Sequence, residues 1–533
     1  MIKNPILPGF NPDPSICRVG EDYYIATSTF EWYPGVQIHH SRDLVNWTLV
    51  TRPLNRASQL DMRGNPDSGG IWAPCLSHAD GRFWLVYTDV KRWHGSFQDT
   101  HNYIVTCETI DGVWSDPVHV NSSGFDPSLF HDDDGRKWFV NMRWNHRAPG
   151  TGCNPAHHLF DGILLQEWSP ERGLFGPVTN IYCGTPLGLT EGPHLFKRNG
   201  WYYLTVAEGG TGYDHAVTMA RSLNLAGPYE THPDRHVLHA ASAPDNRLQK
   251  TGHGQYVETP DGVPYHTFLT GRPLDTAGRH CPLGRETGLA LCQWNDDGWL
   301  YLAHGGMVAN VDVPSPDPSV QPAKRTTVER VFADGPLPAE FQWLRTPHPE
   351  RLFHFSGSAL RLTGRESLGS FFEQALVGRR QEDFHYSAET RVDFAPTSYQ
   401  QAAGLTTYYN RHKYHILGVT FEEGIGRCLF MISSGGDWPD AALTYPLGAP
   451  VPVGPGPVEL RVEVNHAAQQ FFWRQGGEWQ KIGPALDASL ISDEGSSRNQ
   501  FTFTGAFVAM AAFDLTGMGA PADFANFRYE PLE

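Results

Sequence analysis

The sequence predicts an all-β chain: a five-bladed β-propeller followed by an antiparallel β-sandwich of jelly-roll type. Three observations carry this. A strand–turn–strand pattern recurs five times in the N-terminal part, a second pattern recurs half a unit later, and both stop at a Pro-rich stretch. Beyond that stretch, strands with period-two alternation take over.

The first pattern is clearest at Thr190–Gly209, TEGPHLFKRNGWYYLTVAEG. It reads as a carboxylate, a Pro, an apolar pair, a polar Gly turn and an aromatic strand. The same order appears in NPDPSICRVGEDYYIATSTF (11–30), WAPCLSHADGRFWLVYTDV (72–90) and FDPSLFHDDDGRKWFVNM (125–142). It is weaker in KTGHGQYVETPDGVPYHTFL (250–269). The leading positions are Asp13, Ala73, Asp126, Glu191 and His253, separated by 60, 53, 65 and 62 residues. Each opens a blade's innermost strand, so all five are expected to converge at the channel mouth. The second pattern, HSRDLVNW (40–47), CETIDGVWSDP (107–117) and ARSLNLAGPYE (220–230), reads as the turn between a blade's third and fourth strands.

Residues 1–310 are therefore assigned to the propeller, and 311–325, containing VDVPSPDPSVQPAK (311–324), to an extended linker. Residues 326–533 are assigned to the sandwich. FHYSAETRVDF (384–394) and VELRVEVN (458–465) each alternate as a strand with one buried face. YYNRHKYHILGVTF (408–421) adds strands, and QQFFWRQGGEWQKIG (469–483) adds a hairpin turning at Gly476-Gly477.

Composition narrows the function. The 533 residues carry a formal charge of −17, which argues against a nucleic-acid partner. No run of 18 apolar residues is present, so no membrane span is expected, and MIKNPILPGFNPDPS has no signal-peptide character. Eight Cys without a CxxC pair predict free thiols, a reducing compartment and a cytoplasmic location. HDDDG at 131–135 lacks EF-hand ligands and reads as a hairpin turn. GGTGYDHA at 209–216 lacks the P-loop Lys and reads as a loop at the site rim, and His157-His158 lacks further ligands for a metal.

Three of the five leading positions are acids: Asp13, Asp126 and Glu191. Taken singly, Asp-Pro and Glu-Gly-Pro are ordinary turn sequences. Three acids brought to one channel mouth repel one another and shift their pKa values, which is the requirement of catalysis rather than of packing. Glycoside hydrolysis needs one protonated carboxyl to donate to the leaving oxygen and one ionised carboxylate opposite it.

NPDPSI (11–16), WAP (72–74), FDPSLF (125–130) and TEGPHL (190–195) resemble the motifs of glycoside hydrolase family 43. The length and TGAFVAM (504–510) resemble its two-domain β-xylosidases. The resemblance implies an exo-acting, inverting enzyme that releases D-xylose from the non-reducing end of β-1,4-xylooligosaccharides. By motif, Asp13 is the general base, Glu191 the general acid, and Asp126 the pKa modulator and positioner. Phe30, Trp72, Ala73 and Phe125 would line the sugar subsite, and Arg285 would bind sugar hydroxyls. The last blade departs from the pattern with His253-Gly254. There the resemblance implies a His near the channel centre, sometimes beside a divalent cation such as Ca2+, with no cofactor required. A homo-oligomer, dimer or tetramer, is also expected, with the sandwich closing the site. Phe507, from its own subunit or a neighbour, is expected to wall the sugar pocket; the competing reading is a Phe of the sandwich core.

Two alternatives stand beside this reading. One is an α-L-arabinofuranosidase, as main or side activity; the other is a non-catalytic carbohydrate-binding propeller, which has no need of three converging acids. The W-M-N-D-P-N-G stretch of fructan hydrolases and the repeated boxes of sialidases are absent from the sequence.

Overall fold

The computed structural model describes residues 1–532 apart from 96, 148–149, 276, 334, 437–442 and 496–501. Five antiparallel sheets follow one another along the chain, each built from strands in sequence order, with only Trp32–Tyr33 leaving the first. The first comprises Ser15–Val19, Asp22–Thr27, Gln37–Ser41 and Thr48–Thr51; the fourth comprises Glu191–Arg198, Trp201–Glu208, Ala216–Ser222 and Glu230–His239. The inner hairpins close where the sequence supplies Asp-Gly or Asn-Gly. Asp80-Gly81 and Asn199-Gly200 all take positive φ (54°, 73°, 50° and 81°), the backbone of a type I′ turn. The three half-unit repeats lie between third and fourth strands, and 132–136 forms a hairpin turn with Gly135 at φ 83°.

The N-terminal residues close the ring against the last blade. Ile2 pairs with Val313, Leu7 bridges Thr287, and the Asn11 N–H donates to the Arg285 carbonyl at 3.0 Å. The Pro-rich stretch that follows is strapped down. Tyr265 Oη donates to the Pro314 carbonyl (2.9 Å), and the Ala323 N–H donates to Asn46 Oδ1 (2.8 Å). No helix among the described residues is long and apolar enough to cross a membrane.

The C-terminal part is a sandwich of two antiparallel sheets. In one, Val458–Asn465 buries every second residue, as a strand with one solvated face must. In the other, Gln401–Asn410 is buried at all ten positions, because both of its faces are covered. Along the neighbouring strand Phe507–Asp514, Val508 and Met510 face the sandwich interior while Phe507, Ala509 and Ala511 face Phe10, Phe30 and Trp32 of the propeller. Trp32–Tyr33, an excursion of the first blade, pairs with Gln342–Leu344 and becomes the edge strand of this second sheet. The apolar core is therefore continuous across the two parts.

The thiol expectation is corrected. Cys153 and Cys183 form a disulfide across Cα atoms 5.7 Å apart, joining the loop after Lys137–Trp144 to the end of Gly173–Tyr182. Spacing 30 residues apart in sequence gave no sign of it, because a neighbouring strand and its loop bring the two together. The other six Cys are free and buried.

Where the two parts meet most closely, backbone touches backbone. A Cβ on Gly284 (φ 76°) would stand 2.5 Å from the Thr504 carbonyl oxygen and 2.6 Å from Gly505 Cα. Gly81 has a similar φ of 73° with nothing within 4 Å. Gly81→Ala should then cost about 1–2 kcal/mol for its left-handed backbone alone. Gly284→Ala should cost a further ~1–3 kcal/mol for overpacking, visible as the lower of the two thermal midpoints.

Candidate active site

The five leading positions share an uncommon backbone. Asp13 (φ 55°), Ala73 (32°), Asp126 (54°) and His253 (28°) are all left-handed, and in the fourth blade Gly192 (57°), next to Glu191, takes that role. Such φ values cost a non-Gly residue about 1–2 kcal/mol, and they gather at functional sites. Here they mark the same turn in each blade, at which the chain enters its innermost strand.

Hydrogen bonds tie these positions together. The Ala73 N–H donates to Ser28 Oγ (2.7 Å), and Ser28 Oγ–H donates to Asp13 Oδ2 (2.7 Å). The Gly192 N–H donates to Asp126 Oδ2 at 3.0 Å, so the residue after one acid holds the next. His253 Nδ1 lies 4.0 Å from Asp13 Oδ1 and 3.8 Å from Asp126 Oδ2. A Cβ on Gly192 would come within 2.9 Å of the His253 ring. Glycine is thus required twice at 192, for its φ and for this approach.

Burial governs the charges. It lifts the Glu191 carboxyl to about 8, with Asp13 repulsion adding and Arg285 opposing. Burial also pushes Asp126 well above the usual carboxylate range, helped by Glu191 and Asp13. Asp13 thus lifts both acids, and the repulsion between Asp126 and Glu191 is mutual. Asp126 and Glu191 compete for the site's protons and titrate as a unit. Burial, with Arg285 nearby, lowers His253 to about 3, so its imidazole is neutral and forms no ion pair with the acids it faces.

Aromatic rings surround the acids. Phe30, Trp72 and Phe125 form a run with centroids 5.9 Å and 5.2 Å apart. Phe503, from the C-terminal part, completes it at 6.4 Å from Phe30, 5.7 Å from Trp72 and 5.3 Å from Trp93. The expectation for Phe507 is corrected. That ring is fully buried, stacked on Trp32 at 3.6 Å and edge-on to Phe10 at 6.1 Å. It supports the aromatic wall from behind, because residues 507–514 form a central strand while 502–506 cross to the propeller.

Arg285 braces this crossing. One terminal nitrogen donates to Asp13 Oδ1 (3.3 Å) and to Thr211 Oγ1 (2.8 Å), the other to the Phe503 carbonyl (2.7 Å). Three of its five N–H donors are taken by protein, which makes the residue a strut between Asp13 and the Phe503 segment, while its buried Nε–H has no partner among the described residues. Thr211 brings the 209–216 loop to the site. The Phe503 N–H donates to Ser68 Oγ (2.9 Å) and the Thr504 N–H to Tyr409 Oη (3.0 Å). Ser28, Ser68 and Phe503 had no readable signal in the sequence; Thr211 did, in the rim loop 209–216, and Gly192 did, in its Glu-Gly-Pro setting.

Residues 2–300 match the family described as Glycosyl hydrolases family 43, and residues 329–530 match the Beta xylosidase C-terminal Concanavalin A-like domain. The chain belongs to glycoside hydrolase family 43. It is 57% identical over 541 residues to Xylosidase/arabinosidase 43B of Humicola insolens, covering 100% of this chain and 98% of that one. It is 48% identical over 544 residues to Beta-xylosidase of Bacillus subtilis (strain 168), covering 99% of each. The crystal structure of xylan beta-1,4-xylosidase from Bacillus halodurans C-125 superposes with a TM-score of 0.95 at 49% identity, covering 99% of this chain and 100% of that one. As a family 43 glycosidase, the chain has a five-bladed propeller with a concanavalin A-like sandwich.

A calcium ion near His253 finds little support in the side chains present. Among the described residues no group of three His, Cys, Asp or Glu is arranged to hold a metal. The partners around His253 include the rings of His194 and the two acids, not the six to eight oxygens calcium takes.

Two outcomes follow. Phe503→Ala should raise KM about tenfold with little change in thermal midpoint, since it removes an apolar wall. Phe507→Ala should instead destabilise by about 3–5 kcal/mol, as a large-to-small core change does. The pH profile gives the second. Glu191 must hold its proton to act as an acid, so kcat/KM should fall as pH rises through about 8; a basic limb near pH 5 would contradict the buried setting.

Proposed function

We propose that the chain is an exo-acting, inverting β-xylosidase that releases D-xylose from the non-reducing end of β-1,4-xylooligosaccharides. The observation that carries this reading is the pairing of unequal carboxyls. Glu191 is lifted to about 8 and is protonated at neutral pH, while Asp13 accepts hydrogen bonds from the Ser28 hydroxyl and the Arg285 guanidinium. Glu191 then gives its proton to the glycosidic oxygen, and Asp13 takes one from the attacking water on the opposite face of the sugar. Asp126, bonded to the Gly192 N–H, aligns the acid's backbone and shares the pair's proton. The neutral His253 spaces Asp13 from Asp126 without adding charge. The aromatic run offers apolar faces to the sugar ring, and the crossing segment at Phe503 walls one side, as removal of a single terminal residue requires.

The relatives' names support xylose as the released sugar, and the name of the Humicola insolens relative favours α-L-arabinofuranosidase as a side activity. Proton NMR of early hydrolysis should show α-xylose appearing first from a β-xyloside; initial β-xylose would sink the inverting assignment. Glu191→Ala should lose about 10²–10⁴-fold on xylobiose and far less on an aryl xyloside with an acidic phenol, whereas Asp13→Ala should lose heavily on both.

A further inference from the structure

Glu208 is completely buried at the end of the strand that pairs with Glu191's, and it forms none of the salt bridges found among the described residues. Its carboxylate instead accepts four hydrogen bonds. Oε1 takes the Thr185 N–H (2.7 Å) and the Thr190 hydroxyl (3.0 Å); Oε2 takes the hydroxyls of Thr185 (2.7 Å) and Thr218 (2.7 Å). The Thr218 hydroxyl gives its one proton to Glu208. Thr218 Oγ1 must then accept from His236 Nδ1 at 2.7 Å, which fixes that ring's tautomer.

All the partners except Thr218 lie on residues 184–190, the irregular stretch that delivers the chain to Glu191. The stretch is fitted around the carboxylate. A Cβ on Gly184 (φ 81°) would stand 1.9 Å from Thr190 Oγ1 and 2.5 Å from Glu208 Oε1. Its other ties are the Cys183 disulfide, Asn154 Nδ2 donating to the Thr185 carbonyl (2.8 Å), and the Gly209 N–H donating to the Gly188 carbonyl (2.8 Å). Among the described residues, Glu208 alone grips both ends of the stretch at once, through Thr185 and Thr190.

We propose that Glu208 is a positioning residue for the general acid: its carboxylate gathers Thr185, Thr190 and Thr218 and thereby sets the place of the Glu191 carboxyl. It touches no substrate. The inference rests on Glu191 being the acid. A misplaced acid protonates a leaving oxygen poorly, which matters for a sugar leaving group and hardly at all for an acidic phenol. A purely structural role has no such leaving-group signature.

Glu208→Ala, in the full chain, should lower kcat on xylobiose about 30-fold or more and on 2,4-dinitrophenyl β-D-xyloside less than about threefold. Thr190→Val removes one tether at nearly constant volume and should show the same pattern at about fivefold on xylobiose; it carries the test if Glu208→Ala does not fold. Equal losses on both substrates, or normal kinetics with only a lowered thermal midpoint, would overturn the proposal. Glu191→Ala measured alongside separates the two claims. If it shows the leaving-group dependence and the Glu208 and Thr190 variants do not, the positioning role alone fails. If Glu191→Ala lacks it too, the assignment of the acid fails and the positioning role falls with it.

Discussion

Three carboxylates share one buried channel mouth, and much of the surrounding structure answers that burden. Isolated buried charges cost several kcal/mol each, so each acid must be neutralised, bonded or paired. Asp13 is bonded by Ser28 and braced by Arg285; Asp126 accepts a backbone N–H; Glu191 keeps its proton. The solutions interlock. Short bonds at the axis thus join the first blade to the second, the third to the fourth and the last to the first, in addition to bulk packing. Chemically similar groups are thus treated unequally, and the proposed division into acid and base rests on that difference.

The sandwich is part of this arrangement rather than an appendage. Trp32–Tyr33 leaves the first blade to become its edge strand, and the 502–506 crossing returns to the propeller with Phe503. Between them the two excursions bury one sandwich face against the propeller. A second tie runs deep: Arg345, buried, donates to the Asn65 carbonyl (2.9 Å), Gln374 Oε1 (3.0 Å) and Asp67 Oδ1 (2.9 Å). A third joins Lys250, three residues before His253, to Glu494, whose other oxygen accepts the Cys281 N–H at 2.9 Å. The Phe503 segment therefore owes its position to contacts on both parts, with the Gly284–Gly505 approach admitting it.

Backbone strain is distributed in the same spirit. Ala73 and His253 hold left-handed φ without the local side-chain bonding that helps Asp. Ala73 is compensated by its bond to Ser28, and His253 by a cage of neighbours that includes Gly192. Both positions lie where the innermost strand must turn into the channel, so the conformation is imposed by the ring and not chosen locally.

The repeat was legible because each blade is a local unit whose hairpin obeys short-range rules: Asp-Gly and Asn-Gly turns, alternating strands, a Pro after the leading residue. Similar spacing then implied convergence, and convergence implied the acids. The sandwich strands were legible wherever one face stays solvated, since alternation records it. What the sequence by itself determined is therefore the elements, their grouping and the acids that the repeat superposes. Tertiary structure alone decided the partners. TFTGAF offers two Phe four residues apart, and only the path of the chain across to Ser68 and Arg285 selects Phe503 for the site and Phe507 for the core. Cys153 and Cys183 look no different in sequence from the six free thiols, and Asp13, Asp126 and Glu191 look alike as acids. Their contacts come from chain segments tens to hundreds of residues away, and burial, proximity and proton affinity are properties of those contacts, so no local pattern can encode them.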